Sequence, residues 1–243
     1  MKVIILAAGR GKRLGKITEN DPKVMAQACD KPLIDHVIDS VSFVDHKDIH
    51  IVVGYKKESV MEHLGDEETY SVQDQQLGTG HAVRCAKEAF KDYDGDVLIA
   101  YGDMPLVRKE SYLALIEEHK KNNSLCTLML ADVQPIPAWG RIIRDENGYF
   151  QKVVEDRDCT PEQKLISEVN MGVYVFNSKK LFSYLDNIKN SNAQNEYYLT
   201  DVPYEFLANN ERVYTYTNTN TDEILGVNTP EDLAQVEEWL SKR

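Results

Sequence analysis

The chain has 243 residues, of which 42% are hydrophobic and 28% charged, and its formal net charge is −12. This length and apolar content support a substantial core, as one domain or as a domain with a smaller lobe. The acidic balance excludes a protein that holds nucleic acid by bulk charge, yet it leaves room for one basic pocket that takes a small phosphorylated ligand.

Cys29, Cys85, Cys126 and Cys159 stand far apart and form neither a CxxC nor a zinc-type pair, so they read as reduced, partly buried thiols of a cytoplasmic protein. The opening run "MKVIILAAG" is too short for a signal peptide and the basic loop follows too soon. No stretch approaches the roughly 20 apolar residues of a membrane span.

Taken in order, "KVIIL" is a short continuous apolar run, as expected for a strand buried on both faces. "PLIDHVIDSVSFV" predicts a helix with Leu33, Ile34, Val37, Ile38, Val41 and Val44 on one face. "HIVVG" predicts a second buried strand. "GTGHAVRCAKEAF" predicts a helix with Ala82, Val83, Ala86 and Phe90 turned inward. "DVLIAYGD" reads as a strand, "SYLALIEEHKK" as a helix and "LCTLML" as a strand. This alternation predicts an α/β fold whose parallel sheet carries helices on both faces.

The second half changes character. "RIIRDENGYFQKVVE" predicts two strands around an Asn147-Gly148 turn. "CTPEQKLI" predicts a helix start, with Thr160 as cap, Pro161 in the first turn and Gln163 completing a capping box. "EVNMGVYVF" reads as a strand and "SKKLFSYL" as a helix. "NTPEDLAQVEEWL" repeats the Thr-Pro-Glu start and shows an apolar face of Leu233, Val236, Trp239 and Leu240. No linker, internal repeat or low-complexity tract interrupts residues 1–243, so one continuous domain is expected, with an antiparallel lobe beside the carboxyl end of the parallel sheet.

The loop after the first strand concentrates positive charge: Arg10, Lys12, Arg13 and Lys16 follow Gly9, and Lys23 follows Pro22. The dinucleotide fingerprint G-x-G-x-x-G accepts Gly9 and Gly11 but meets Leu14 where its last glycine belongs, which excludes an NAD-type site. The P-loop spacing, counted from Gly9, also lands on Leu14 and has Ile17 where a hydroxyl should follow Lys16. What remains is L-A-A-G-x-G-x-R. Small residues there let a planar base lie against the backbone, Gly11 exposes amide N–H groups, Arg13 can fork onto a phosphate and Lys23 supplies a mobile point charge. A solvated basic turn is the alternative.

"LAAGRGKRL" with "PKVM" resembles the signature of the sugar-1-phosphate nucleotidyltransferases. "QDQQLGTGHAV", "YGDMPL", "WGRI", "VVEDRDCTPEQ", "EVNMGVYVF", "NAQNEYYLTDV" and "GVNTPEDL" follow in the order found in the N-acetylglucosamine-1-phosphate uridylyltransferase (UDP-N-acetylglucosamine pyrophosphorylase) domain of that family. The resemblance spans nearly the whole chain. It implies a Rossmann-like, mostly parallel central sheet flanked by helices, with a smaller antiparallel sugar-binding lobe of the nucleotide-diphospho-sugar transferase type. Residues 1–130 would be mainly the nucleotide half, and residues 131–243 mainly the sugar half with the C-terminal helix. The implied reaction makes UDP-N-acetylglucosamine and pyrophosphate from UTP and N-acetylglucosamine 1-phosphate, with Mg2+ as cofactor and neither nucleic acid nor membrane as partner.

Carried over residue by residue, the resemblance gives Arg13, Lys23 and Asp103 catalytic roles and makes Asp103 and Asn228 the metal ligands. It assigns Leu6, Ala7, Ala8, Gly9, Gln73, Gly78 and Thr79 to the nucleotide, with Gln73 on the uracil edge and Thr79 also capping the helix that follows. It assigns Tyr101, Gly140, Glu155, Asn170, Tyr197 and Thr200 to the sugar. Each has a plainer reading: Asp103 as a turn residue, Gln73 as a strand end, Gly140 as a turn, Glu155 as a strand-end charge, Asn170 as a satisfied polar group, Tyr197 as core. Trp139 departs from the pattern, which more often has tyrosine before that glycine, and this leaves the pocket shape open. His36, His46, His50, His63, His81 and His119 show no metal spacing, and His81, beside the nucleotide turn, reads as structural. The hexapeptide-repeat β-helix that follows this domain in bifunctional relatives does not appear before Arg243, so neither acetyl transfer nor trimerisation through it is expected. The same chemistry on glucose 1-phosphate or dTTP, and a nucleotide-sugar sensor without turnover, are the alternatives.

Overall fold

In the computed structural model, which describes residues 1–243, the first apolar run forms β1 (Lys2–Ala7), buried from Val3 onward. Two short strands, β2 (Gln27–Ala28) and β3 (Lys31–Pro32), pair only with each other. Then come α1 (Leu33–Ser40), β4 (Ile49–Val53), α2 (Lys57–Leu64), β5 (Thr69–Val72), α3 (Thr79–Cys85), β6 (Asp96–Tyr101), α4 (Lys109–Lys121) and β7 (Cys126–Asp132). The second half supplies β8 (Arg141–Arg144), β9 (Phe150–Val154), β10 (Glu168–Asn177), α5 (Ser178–Tyr184), α6 (Val202–Ala208), β11 (Tyr214–Thr217) and α7 (Pro230–Leu240).

The central sheet runs β11-β7-β10-β6-β1-β4-β5, and the β8–β9 hairpin joins it through β10. The β1–β4, β1–β6, β4–β5 and β7–β11 pairs are parallel, whereas β10 is antiparallel to both neighbours. The α4 crossover from β6 to β7 leaves one position open between them. The chain returns through the hairpin, not a helix, so β10 fills that position in the opposite sense. The fold is therefore α/β with a mostly parallel central sheet flanked by helices and a small separate antiparallel pair.

Side-chain alternation divides the sheet into two apolar faces. Val3, Ile5, Ile49, Ile51, Leu98, Val173 and Val175 pack with α1 and α4, and Ile4, Leu6, Val52, Ile99, Leu128, Tyr174 and Phe176 pack with α3, α5 and α6. A third cluster, Leu14, Ala26, Ala28, Leu33, Leu106, Val227, Leu233 and Val236, gathers under α7. Burial of Leu14 and Val227 stabilises by about 1.5–3 kcal/mol each. Those two residues flank Arg13 and Asn228, so the loops that carry these polar side chains are anchored by apolar packing.

Several expected elements change in detail. The first predicted helix stops at Ser40, and Val41 and Val44 complete its apolar face from hydrogen-bonded turns. The predicted 78–90 helix divides into α3 and a single 3-10 turn at Lys87–Phe90. At Thr160 the capping box forms, with Gln163 N–H on Thr160 Oγ1 (3.2 Å) and Thr160 N–H on Gln163 Oε1 (2.9 Å). The helix expected from it shrinks to one turn, Gln163–Leu165, because Leu165 is 78% exposed and the segment finds no apolar surface. The hairpin forms where expected, with Gly148 at φ +81° and the Asp145 carboxylate accepting the N–H groups of Asn147 and Tyr149. Thr229 caps α7 in a reciprocal box with Asp232. All four cysteines are free, although Cys29 is exposed. No helix is long and apolar enough to cross a membrane.

The helix α6, not evident from sequence, packs Phe206 at 0% exposure against Phe176 and Tyr184, at centroid distances of 5.8 and 4.8 Å. Replacing Phe206 with Ala should cost about 3–5 kcal/mol, read as a lowered midpoint in urea denaturation. A loss below about 1 kcal/mol would show that α6 stands outside the cooperative core.

Candidate active site

The adjacent parallel strands β1 and β6 end side by side, and Gly102 N–H donates to Leu6 O at 3.0 Å. The loop after β1 turns at Gly11, whose φ of +72° favours glycine. A Cβ there would also stand 2.7 Å from Lys23 Cβ. Gly11 thus lets the Lys23 stem pass, and the Lys23 ammonium forms an ion pair with Asp103, each side chain being 14% exposed. Asp103 O accepts the Val227 N–H at 2.9 Å, which brings in the turn before α7.

That turn aims Asn228. Its backbone N–H donates to Asp232 Oδ2 (2.9 Å) and its Nδ2 to Gly226 O (3.2 Å), so its Oδ1 is left facing the cations. Oδ1 accepts from Arg13 Nη2 at 2.9 Å and from Lys23 Nζ at 3.2 Å. Arg13, Lys23, Asp103 and Asn228 therefore meet from three distant segments. The other early basic residues do not join them. Arg10 stacks on Tyr55 at 4.8 Å, and neither Lys12 nor Lys16 lines the clefts described next.

The Asp103 carboxylate and the Asn228 amide oxygen both converge on one positive charge, the Lys23 ammonium. Two hard oxygen donors, with a single carboxylate between them, fit Mg2+, which keeps waters and phosphate oxygens as its other ligands.

Two clefts open from this point. One, of about 240 Å³, is lined by Leu6, Ala8, Gly9, Gln73, Gln76, Gly78, Thr79, Tyr101, Lys23, Asp103 and Glu196. Ala7 alone of the expected nucleotide residues points away, its methyl in the core. Gly78, at φ +109°, is the N-cap of α3, and a Cβ there would lie 2.6 Å from Tyr197 O. Thr79 was expected to be that cap. It is instead the first helical residue, and its Oγ1 accepts the Leu199 N–H at 3.0 Å. It thereby ties α3 to the second half of the chain. Gln73, 3% exposed, donates from Nε2 to Gly78 O (3.0 Å) and to His81 Nδ1 (3.1 Å).

The second cleft, of about 360 Å³, gathers Tyr101, Gly140, Glu155, Asn170 and Thr200, with Arg13, Asp103 and Asn228 at its mouth. Gly140 is closely packed, since a Cβ would meet Val153 Cγ1 at 2.6 Å, and its carbonyl accepts the Asn170 N–H at 2.8 Å. Asn170 Nδ2 donates to Tyr174 Oη at 2.7 Å, leaving Oδ1 without a partner. Thr200 Oγ1 donates to Glu155 Oε1 at 2.9 Å. Burial raises the Glu155 pKa against that hydrogen bond, with Asp201, Asp158 and Glu196 adding to the rise. A register shift in β10 places Gly172 at φ +77° against the Tyr101 ring, where a Cβ would stand 3.0 Å from Cε2.

Of the expected sugar residues, only Tyr197 is turned away. Its ring lies 4.8 Å from the Arg84 guanidinium, and its neighbour Tyr198 lines the cleft instead. Sequence reasoning also missed Met104, Gly172, Gln194, Glu196 and Gly226, while Trp139 does line the cleft. The pair Tyr197-Tyr198 carried a signal for one of the two, because neighbouring residues in extended backbone point to opposite sides.

A family model described as nucleotidyl transferase matches residues 2–241. The bifunctional protein GlmU of Clostridium botulinum (strain 657 / Type Ba4) is 42% identical over 241 residues, which are 99% of this chain and 52% of that protein. GlmU of Clostridium novyi (strain NT) is likewise 42% identical over 99% of this chain and 52% of its own length. The chain thus spans about half the length of the curated relatives it matches. A crystal structure from Bacillus anthracis, of a protein assigned as a glucose-1-phosphate thymidylyltransferase and solved with a sucrose, superposes with a TM-score of 0.79 at 24% identity. It covers 98% of this chain and 94% of that one, and it bears on the fold alone.

Asp201 sits beside this cleft with its pKa pushed up to about 6, chiefly by burial and then by Asp158 and Glu205. Between the ordinary aspartate value of 3.8 and about 6, the folded chain keeps a proton that the unfolded chain releases. The stability this group provides is therefore complete below the lower value and lost as pH rises through the upper one. Asp201→Asn should raise the melting temperature at pH 7.5, and the gain should shrink toward zero near pH 4. Parallel thermal melts of both proteins test this, and a gain independent of pH would contradict it.

Proposed function

The chain belongs to the nucleotidyl transferase family, and we propose that within it the protein is a cytoplasmic uridylyltransferase. It forms UDP-N-acetylglucosamine and pyrophosphate from UTP and N-acetylglucosamine 1-phosphate. The observation that carries this reading is the meeting of Arg13, Lys23, Asp103 and Asn228 where the two clefts join at Tyr101 and Asp103. One cleft offers small residues and a carboxamide to a base. The other offers hydrogen-bonding groups to a sugar. The ordered motifs from "LAAGRGKRL" to "GVNTPEDL" support the choice of uracil and N-acetylglucosamine.

The chemistry asks little of the protein. The phosphate oxygen of the sugar phosphate is already anionic, so no general base is needed. It attacks the α-phosphorus in line; the new P–O bond forms as the bond to the β-phosphate oxygen breaks, and pyrophosphate leaves with that electron pair. Catalysis is then alignment and cancellation of charge. Arg13 and Lys23 stand where they can neutralise phosphate oxygens and hold the two reactants on one line. Asp103 and Asn228 would hold Mg2+, which when bound offsets the negative charge of the triphosphate. Lys23 would then exchange its carboxylate partner for phosphate. On the sugar side, Thr200 fixes Glu155, and the Asn170 side chain adds a carboxamide to the lining of the cleft.

Pyrophosphate release, measured for UTP, dTTP, CTP and ATP against N-acetylglucosamine 1-phosphate and glucose 1-phosphate, tests the proposal. The expected result is turnover with UTP and N-acetylglucosamine 1-phosphate, dependent on Mg2+ and abolished by EDTA. Asp103→Ala should lower it by about 1,000-fold or more while the circular dichroism spectrum stays native. Turnover confined to another sugar or base would overturn the substrate assignment. Binding without turnover on any pair would make the protein a nucleotide-sugar sensor.

A further inference from the structure

Gln73 follows the edge strand β5, and its backbone N–H donates to Val53 O at 2.8 Å, which fixes the start of its side chain. Its carboxamide is almost fully buried yet lines the smaller cleft beside Leu6, Ala8 and Gly9. A backbone carbonyl can only accept a hydrogen bond and an amide nitrogen can only donate one. The 3.0 Å contact with Gly78 O therefore identifies which end of the carboxamide is the nitrogen. The 3.1 Å contact with His81 Nδ1 then makes that ring nitrogen an acceptor and puts the proton of a neutral His81 on Nε2. Both Nε2 protons are thus taken by the protein. The end left for a ligand is Oε1, which accepts no hydrogen bond from any residue.

We propose that His81 is a positioning residue that locks Gln73 in one orientation, so that the base site presents an acceptor and selects a base with a ring N–H on the facing edge. Uracil and thymine carry such a donor at N3, whereas cytosine carries a lone pair there and would face Oε1 with like charge. The inference rests on the nucleotidyl-transfer reading of the cleft and adds to it the residue that sets base selectivity. His81 sits on the first turns of α3, two residues after Thr79, so the same helix that joins the halves of the chain also orients the carboxamide. Burial and the neighbouring Arg84 guanidinium lower the His81 pKa, against the Gln75 carbonyl, which keeps the ring neutral and Nδ1 free to accept near pH 7. Without that acceptor, one amide proton is orphaned in a buried site and the two orientations draw closer in energy.

The test is calorimetric binding of UTP and CTP to the wild type, His81→Phe and His81→Asn, each with its melting temperature. Asn places Oδ1 close to the position of His Nδ1 and so keeps the acceptor; Phe keeps the ring and removes it. The wild type should prefer UTP over CTP by about 100-fold or more. His81→Phe should lose about tenfold of that ratio, mainly through weaker UTP binding, and His81→Asn should restore most of it. All three should melt within a few degrees of one another. If His81→Phe does not fold, His81→Ala takes its place with the same expectation. An unchanged UTP-to-CTP ratio in the acceptor-free variant overturns the inference while leaving the functional reading intact. Failure of the wild type to bind either nucleotide overturns both.

Discussion

The carboxylate of Asp103 is the constraint around which this molecule is arranged. It is mostly shielded from water, and a shielded carboxylate without a counter-charge is costly. Lys23 supplies that charge, and Asn228, held by Asp232 and Gly226, turns its amide oxygen toward the same ammonium and toward Arg13. The Arg13 and Lys23 cations are thus held by oxygen atoms of the protein's own side chains. Charged groups held in place in this way, mostly shielded from water, interact more strongly than the same groups would in bulk solvent.

Apolar packing makes the arrangement rigid. The parallel pairing of β1 with β6 sets the Gly9 and Gly102 loops side by side, and the small cluster under α7 fastens the Arg13 and Asn228 loops to each other. Arg13 and Asn228 are 215 positions apart in the chain, and their chain neighbours Leu14 and Val227 are buried in one apolar cluster that holds the two loops together. Glycine contributes through space as much as through conformation. Gly11 clears the Lys23 stem, and Gly172, at the β10 irregularity, clears the Tyr101 ring that forms the wall shared by the two clefts.

Charge is distributed unevenly around the two clefts, each of which has one cation, Lys23 in the smaller and Arg13 in the larger. The side toward Arg13 and Lys23 is cationic and suits phosphates. Acidic groups stand around them: Glu196 lines both clefts, Glu155 the larger one, and Asp201 sits next to Thr200, all with raised pKa values, each chiefly through burial. Such groups repel a phosphate and accept hydrogen bonds from hydroxyl and amide groups. The smaller cleft also holds a neutral carboxamide, that of Gln73, whose nitrogen contacts Gly78 O and His81 Nδ1.

Much of this was legible in the sequence. Uninterrupted apolar runs marked β1, β4, β6, β7 and β10, helical periodicity marked α1, α4 and α7, and the acidic chain's one basic loop marked the phosphate side. Arg13 and Lys23 stood out through the charge of that loop, whereas Asp103 and Asn228 were marked only by the family resemblance of "YGD" and "GVN", since Asp103 by itself reads as a turn residue. The elements α2, β5 and β11 were not legible, since half-exposed segments bury too few residues to impose a period, and α6 was not, because its seven residues are too few to show one although Val202 and Phe206 are buried. The Thr160 capping box was locally correct, but a cap starts a helix only where a surface exists to pack the helix on. The sequence alone thus determined which segments are buried and which loop gathers positive charge, because both follow from residue type and local spacing. Only the tertiary structure decided that β10 enters between β6 and β7, that Tyr198 and not Tyr197 faces the cleft, and that His81 meets Gln73. Those outcomes depend on which way a chain or side chain turns, and neighbours distant in sequence set that direction.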